Sequence, residues 1–214
     1  MVKRCIDIEN NKLSVFGIMS DKPGTGKTYA LLTLIYVTKI KTLVVVPQNI
    51  MGQWCNSINQ LTDSLIKYKK ITEYGDIMEL YRNKDMFKEY DLIITTSLFY
   101  NVISTTMKCL NIFIDRIIFD EVDSISSFLV DKINANFIWF VSASFNHKDL
   151  GIYTEMVDEE ILPQITCKCY NNFIDDNLLL EEPNIYRIIC KNIYLDTIFN
   201  GIFSTDEYKL LNAM

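Results

Sequence analysis

The chain has 214 residues, of which 49% are hydrophobic and 22% are charged, and its formal net charge is −6. This length fits one large domain, or one domain with an appendage, and the apolar content suffices for a buried core and argues against disorder. The acidic balance disfavours broad, charge-driven binding to nucleic acid but permits a local contact surface.

Short apolar runs alternate with helical patterns along the chain. Residues 1–12 are polar and mixed and predict only a lead-in segment. Strands are predicted at Leu13–Met19, Thr42–Pro47, Tyr68–Tyr74, Asp91–Thr95, Ile114–Phe119, Phe137–Val141 and Pro183–Cys190. Helices are predicted from Tyr29 to about Lys39, at Asn49–Ile66, at Ile77–Phe87, from Ser97, and from Ser204 with its capping signature. Continuously apolar strands suit positions covered on both faces, so the alternation predicts an α/β domain with a central, mainly parallel sheet flanked by helices.

A glycine-containing loop, Ser20–Thr28, separates the first predicted strand from the first predicted helix. Gly24 and Gly26 can take backbone angles that other residues avoid, which lets the loop approach a ligand closely. The first N–H groups of the helix lack intrahelical partners, and with the helix dipole they form a site for phosphate. Lys27 would reach the β- and γ-phosphates, and the Thr28 hydroxyl would ligate Mg²⁺. The predicted phosphate-binding residues are Gly24, Thr25, Gly26, Lys27 and Thr28.

An acidic cluster, Phe119–Asp123, supplies the partner that such a loop requires. Asp120 ends an apolar strand, where its carboxylate can face a ligand crevice and hold Mg²⁺ through water. Glu121 would accept the proton of the attacking water. Two alternatives stay open for the isolated stretches: a chance glycine turn for the loop, and an acidic surface turn for the cluster.

The order of the motifs resembles the first RecA-like domain of superfamily 2 helicases and translocases, nearest the Swi/Snf-like and large-DNA-virus branches. The loop resembles D-x-x-G-x-G-K-T of that branch, in which Asp21 replaces the usual first glycine. The other matching motifs are Val44–Pro47 with Gln53 and Trp54 (motif Ia), Tyr90–Thr96 (motif Ib), Ile117–Asp123 (motif II) and Ser142–Ser144 (motif III).

The resemblance implies the ATP-binding half of a nucleic-acid-dependent ATPase that uses ATP and Mg²⁺. Lys27 and Glu121 would be catalytic, and Thr28 and Asp120 would hold the metal. Asp123 would couple motif II to Ser142 and Ser144. Contacts to a nucleic-acid backbone are implied at Pro47, Gln48, Thr95, Thr96 and Ser97, where ordinary strand-end chemistry is the alternative. Trp54 and Trp139 lie in apolar periodic runs and are interpreted as core anchors.

The resemblance also implies partners and a division of the chain. The partners would be nucleic acid, with DNA favoured over RNA, and a second RecA-like domain that supplies an arginine finger. Residues 1–150 would form the ATP-binding core, and residues 151–214 the remainder of the same domain, leading toward the second one. Without that second domain the chain is expected to hydrolyse ATP very slowly.

Other classes of protein are weighed against this interpretation. An AAA+ ATPase shares the loop and the acidic cluster, but the separation between Lys27 and Asp120 is long for its compact core. A truncated, non-catalytic nucleotide-binding or interaction module is the second alternative. No apolar run reaches the length of a membrane span, and the N-terminus lacks a signal-peptide core, so no membrane partner is expected. Six scattered cysteines indicate reduced thiols, which predicts an intracellular location, cytoplasmic or nuclear, with a viral source as one possibility.

Overall fold

Alternating strands and helices build one parallel sheet in the part of the chain that the computed structural model describes, residues 1–62 and 65–168. Seven strands, β1 to β7, span Phe16–Ser20, Thr42–Val46, Tyr68–Ile71, Leu92–Thr96, Ile114–Asp120, Ala135–Ser142 and Thr166–Cys167. Eight α-helices, α1 to α8, span Val2–Asn10, Lys27–Thr38, Met51–Thr62, Tyr74–Arg82, Met86–Glu89, Ser97–Leu110, Val122–Ile125 and Leu162–Ile165. Short 3₁₀ segments occupy Gln48–Ile50, Ser126–Phe128, His147–Met156 and Glu159–Ile161.

The sheet order is β3-β4-β2-β5-β6-β1-β7, and all the pairings are parallel. Strands β2 and β4 are buried along their whole length, as expected for strands covered on both faces. The prediction of an α/β domain with a central parallel sheet flanked by helices is confirmed. Strand β6 lies between β1 and β5, and this arrangement positions the site described below.

The predicted elements differ from the observed ones mainly at their ends. The helix predicted at Ile77–Phe87 is two helices, α4 and α5. It breaks because the Asn83 side chain accepts a hydrogen bond from the Asp85 N–H at 3.1 Å, a local contact that competes with helix continuation. Helix α4 begins earlier than predicted because Glu73 and Asp76 form a reciprocal capping box.

The prediction that residues 1–12 form only a polar lead-in is wrong. Val2–Asn10 is helix α1, and two of its side chains, Cys5 and Ile8, are 1% and 4% exposed. The helix contacts both α2 and β1. The sequence pattern concealed it because only two of nine residues are buried apolar ones and because a third, Glu9, faces inward to serve an ion pair.

That ion pair centres on Arg116 of β5, whose side chain is fully buried. The guanidinium donates to both carboxylate oxygens of Glu9, at 2.7 Å from Nε and 2.5 Å from Nη2. It also donates to the hydroxyls of Thr38 in α2 and Thr42 in β2. The indole N–H of Trp139 in β6 donates to Glu9 at 2.8 Å. One buried network thus joins two helices and three strands.

Trp139 also explains a glycine in the neighbouring strand. It is 0% exposed, and Gly17 of β1 is its register partner. A Cβ atom on residue 17 would lie 2.7 Å from Cζ3 of the indole, which is closer than carbon atoms approach. The pair β1–β6 therefore needs glycine at position 17, and the interpretation of Trp139 as a core anchor is confirmed.

Within residues 1–62 and 65–168, no helix combines the length and apolar character required to cross a bilayer. The strand predicted at Pro183–Cys190 and the helix start predicted at Ser204 lie outside the described residues.

The buried ion pair makes a prediction about stability. Replacing Glu9 with alanine leaves the Arg116 charge buried without its carboxylate, and such losses cost about 3–5 kcal/mol. Urea denaturation of the E9A variant should show a decrease of that size in the free energy of unfolding.

The matched control is Glu79→Ala, which removes a glutamate paired with Lys69 at 2.7 Å on the surface. Exposed pairs contribute about 0–1 kcal/mol, so E79A should be nearly as stable as the parent. Equal losses in E9A and E79A would contradict the structural role given to Arg116.

Candidate nucleotide and magnesium site

The loop after β1 and the acidic cluster at the end of β5 meet at one edge of the sheet. Parallel strands end at a common edge, and β1 and β5 both flank β6, so their carboxyl ends are close in space. They line a cleft of about 810 Å³. Six predicted site residues line it: Gly24, Gly26, Lys27, Thr28, Asp120 and Glu121. Thr25 does not, and its hydroxyl instead donates to the Lys22 carbonyl at 2.9 Å.

The loop conformation depends on its two glycines. Gly24 and Gly26 have φ angles of 79° and 80°, in the left-handed region that favours glycine. The loop that follows β1 at Ser20 can therefore turn tightly into α2, which begins at Lys27. The Lys27 side chain is 8% exposed, and its ammonium donates to the backbone carbonyls of Asp21, at 2.7 Å, and Lys22, at 3.3 Å. The cation is thus held at the cleft by its own loop.

Asp120 is the buried acid of the cleft, with 4% of its surface exposed. Its Oδ2 accepts a hydrogen bond from the Trp54 indole N–H at 2.7 Å, and its Oδ1 accepts one from the Glu121 backbone N–H at 3.1 Å. Burial raises the pKa of the Asp120 carboxyl, and the two donors offset only part of that increase. A cation near this carboxylate would relieve the cost of burying its charge.

Glu121 connects β5 to α7 in an unusual backbone conformation. Its φ and ψ angles are 51° and 52°, a left-handed conformation that costs a non-glycine residue about 1–2 kcal/mol. The turn leaves the half-buried Glu121 side chain on the cleft wall. Burial and the neighbouring Asp120 carboxylate raise its pKa, while the Lys27 ammonium opposes the increase.

The side chains on this cleft fit a hard divalent cation. Mg²⁺ prefers oxygen ligands and usually keeps several waters, so that one or two protein groups suffice. Thr28 offers a hydroxyl and Asp120 a buried carboxylate on the same cleft. Each carboxylate oxygen of Asp120 accepts one hydrogen bond and retains a further lone pair for a metal-bound water.

A side-chain hydrogen bond joins the end of β6, at Ser142, to Asp123 of α7. Strand β6 pairs with β5, with Val141 opposite Asp120, and it ends at Ser142. The Ser142 hydroxyl donates to Asp123 Oδ1 at 3.0 Å and accepts the Ser144 backbone N–H at 3.1 Å. The hydrogen bond expected between motif III and motif II is therefore present in the structure.

The residues predicted to contact nucleic acid differ in exposure. Gln48 is exposed and Pro47 is half-buried. Thr95 and Thr96 are 0% exposed, and the Thr95 hydroxyl donates to the Ile71 carbonyl at 2.9 Å. Ser97 is 7% exposed. Neither the backbone nor the side chain of Thr95 or Thr96 is therefore accessible to a nucleic acid in this structure, whereas Gln48 is exposed.

The cleft lining includes polar residues of α3 that are not among the predicted site residues, although Gln53 belongs to the motif Ia resemblance. Helix α3 contributes Gln53, Asn56, Ser57 and Gln60 to the lining. Their three- and four-residue spacing, beside the apolar stripe that contains Trp54 and Ile58, was the available signal. The second addition is the role of Trp54, which is a buried core residue as interpreted but also donates to Asp120. Sequence spacing gives no sign of a hydrogen bond across 66 positions.

The comparisons with known proteins agree with this fold. The sequence matches the SNF2-related domain family over residues 2–136. A structural match is the Sulfolobus solfataricus SWI2/SNF2 ATPase core in complex with dsDNA, with a TM-score of 0.61 and 14% sequence identity. The match covers 82% of this chain and 45% of the Sulfolobus chain, so the chain spans less than half the length of that protein. No curated protein matches the sequence.

The structural match confirms the predicted RecA-like α/β fold. The family match covers more than half of the 214 residues and includes the loop, motifs Ia and Ib, and motif II. The chain therefore belongs to the SNF2-related domain family of helicase-like ATPase domains.

Proposed function

We propose that this chain is the ATP-binding half of a nucleic-acid-dependent ATPase of the helicase or translocase type. The observation that carries the proposal is the shared cleft: Lys27 and Thr28 from one strand end face Asp120 and Glu121 from another. These are the groups required to hold a triphosphate with its cation and to activate water.

Lys27 and the start of α2 would bind the phosphates. The Lys27 ammonium now donates to two loop carbonyls, and β- and γ-phosphate oxygens would replace one or both of these acceptors. The N–H groups in the first turn of α2 would donate to the same phosphates. The polar side chains of α3 also line the cleft and would face the nucleotide.

Thr28 and Asp120 would hold Mg²⁺, and Glu121 would act as the general base. When bound, Mg²⁺ neutralises charge on the β- and γ-phosphate oxygens. Glu121 would orient the attacking water and accept its proton. Its raised pKa brings the carboxylate closer to the operating pH, which makes it a better proton acceptor than an ordinary surface glutamate.

Asp123, Ser142 and Ser144 would pass the nucleotide state to the nucleic-acid surface. The Ser142–Asp123 hydrogen bond supports this role because it joins the residue two positions after the base to the end of β6. We propose a nucleic-acid surface around Pro47 and Gln48. The other predicted contacts, at Thr95, Thr96 and Ser97, stay predictions, because these residues are buried in the unliganded chain. DNA is the proposed partner, because the matched Sulfolobus core was solved with dsDNA.

A second RecA-like domain, in the same protein or in a partner chain, would complete the ATPase with an arginine finger. The 45% coverage of the Sulfolobus chain supports this proposal. The family match favours the SNF2-type ATPase over the AAA+ alternative. A non-catalytic module is the outcome expected if ATP binds without turnover in the completed assembly. The division of the chain near residue 150, the intracellular location and the viral source stay predictions.

The phosphate-binding role predicts the effect of Lys27→Ala. Losing the charge-assisted hydrogen bonds of Lys27 should cost about 2–3 kcal/mol of binding energy, or roughly 30- to 150-fold in affinity for Mg-ATP. Competition against a fluorescent ATP analogue measures this loss. Lys22→Ala removes an exposed lysine of the same loop that does not line the cleft, and it should bind within about twofold of the parent. Equal affinities for K27A and K22A would contradict the proposal.

The raised pKa of Glu121 predicts a pH-dependent difference in stability. A carboxyl whose folded pKa lies above its unfolded value destabilises the fold once pH rises through the folded pKa. Glu121→Gln removes that charge and keeps the side-chain size. E121Q should therefore be more stable than the parent at pH 7, and the two should converge as pH falls toward 4.5, the ordinary value for glutamate.

Thermal unfolding of dilute samples between these pH values measures the difference. Glu155→Gln, at an exposed position outside the cleft lining, is the control for loss of one charge and should match the parent at neutral pH. A parent chain more stable than E121Q at pH 7 would show that the cleft does not penalise the Glu121 charge.

The need for a second domain predicts the activity of the chain. Arginine fingers raise turnover by about 10³–10⁵ in related NTPases. The chain alone should hydrolyse ATP very slowly and respond little to DNA. Adding a second RecA-like domain from a SNF2-family relative, with dsDNA present, should raise turnover, and the same mixture with K27A should stay at the background rate. Strong DNA-stimulated hydrolysis by the monomeric chain alone would overturn this part of the proposal.

A further inference from the structure

Trp54 makes a buried polar contact that its role as a core anchor does not require. It lies in the first turns of α3 and is 1% exposed, yet its Nε1–H donates to Asp120 Oδ2 at 2.7 Å. Both groups are buried, and one partner is a carboxylate. Hydrogen bonds to charged acceptors in such surroundings are about twice as strong as neutral ones.

The second oxygen of the same carboxylate is held from a different direction. Asp120 Oδ1 accepts the Glu121 backbone N–H at 3.1 Å. One donor comes from α3 and the other from the turn before α7, so rotation of the carboxylate about its last bond would break both hydrogen bonds. The orientation of Asp120 toward the cleft is thus fixed by its neighbour Glu121 and by Trp54, which is 66 positions away in the sequence.

Trp139 provides a comparison within the same protein. Its indole N–H also donates to a carboxylate, Glu9, at 2.8 Å, but Glu9 does not line the cleft. Glu9 keeps the hydrogen bonds from Arg116 if the indole donor is lost. The chain contains two tryptophans, and each donates to one inward-facing carboxylate, but only the Trp54 bond involves a cleft residue.

We propose that Trp54 is a positioning residue of the magnesium site: its indole N–H fixes the Asp120 carboxylate in the orientation from which it holds the metal. This inference rests on the proposed function of the cleft, and in particular on Asp120 as a metal-holding group. Trp54 acts through Asp120 and not by contact with the metal or the nucleotide phosphates.

The test separates metal binding from nucleotide binding. Nucleotide affinity is measured with a fluorescent ATP analogue, once with EDTA and once with saturating Mg²⁺. The ratio of the two dissociation constants is the gain in affinity that the metal provides. Residues that orient metal-holding groups typically contribute 10- to 100-fold to metal affinity. Trp54→Phe keeps an aromatic ring but loses the N–H, so it should lower the gain by about tenfold or more while the EDTA affinity stays within about twofold of the parent.

Trp139→Phe is the matched control, because it also removes one indole N–H from a carboxylate and should leave the gain unchanged. Asp120→Asn sets the lower limit, since it removes the metal-holding charge itself. A gain in W54F equal to that in the parent and W139F would overturn the inference and leave the proposed function intact. If the parent chain binds no nucleotide, or if K27A binds it as well as the parent does, the proposed function is overturned, and the inference with it.

A second variant covers the case in which W54F does not fold. In the W139F background Trp54 is the only tryptophan, so β-(3-benzothienyl)alanine can replace it alone during expression. This side chain keeps the bicyclic shape and carries sulfur in place of the N–H. This variant should show the same decrease in the affinity gain that Mg²⁺ provides, and an unchanged affinity gain would overturn the inference.

Discussion

The buried charge of Arg116 is the constraint on which the packing of α1 and α2 against strands β2, β5 and β6 depends. A fully buried guanidinium is tolerated only where its donors are satisfied, and Glu9 together with two threonine hydroxyls satisfies them. The cost of leaving this charge unpaired keeps α1 against the sheet and keeps β2, β5 and β6 in their places. The strands are parallel, so their register also decides where their carboxyl ends meet.

The site depends on that alignment because its groups come from separate strands. The loop follows β1, the two acids lie at the carboxyl end of β5, and β6 lies between these strands with Ser142 at its end. A shift of one residue in β5 would direct Asp120 away from the cleft, because successive side chains of a strand point to opposite faces. The hydrogen bonds from Trp54 to Asp120 and from Ser142 to Asp123 then fix side chains that the backbone has brought close.

The cleft combines features that oppose stability with features that favour ligand binding. Asp120 and Glu121 are adjacent carboxylates whose pKa values are raised by burial, and Glu121 has a left-handed backbone. Each of these features costs folding energy in the unliganded chain. Residues held in this way cluster at functional sites, because bound ligands and cations can repay the cost. Helix α3, which contains Gln53 and Trp54 of the segment resembling motif Ia, supplies one of the two restraints on Asp120, and the Glu121 backbone N–H supplies the other.

The sequence by itself determined the parts of this protein that depend on local chemistry. The α/β class follows from apolar runs alternating with helical periods, and the loop around Lys27 needs glycine and lysine at fixed positions. Only the tertiary structure decided what depends on contacts between distant residues. Helix α1 was missed because its inward-facing Glu9 reads as polar until Arg116, 107 positions away, is placed beside it. The hydrogen bond from Trp54 to Asp120 could not be predicted either, because a hydrogen bond between elements far apart in the chain leaves no periodic pattern in the sequence.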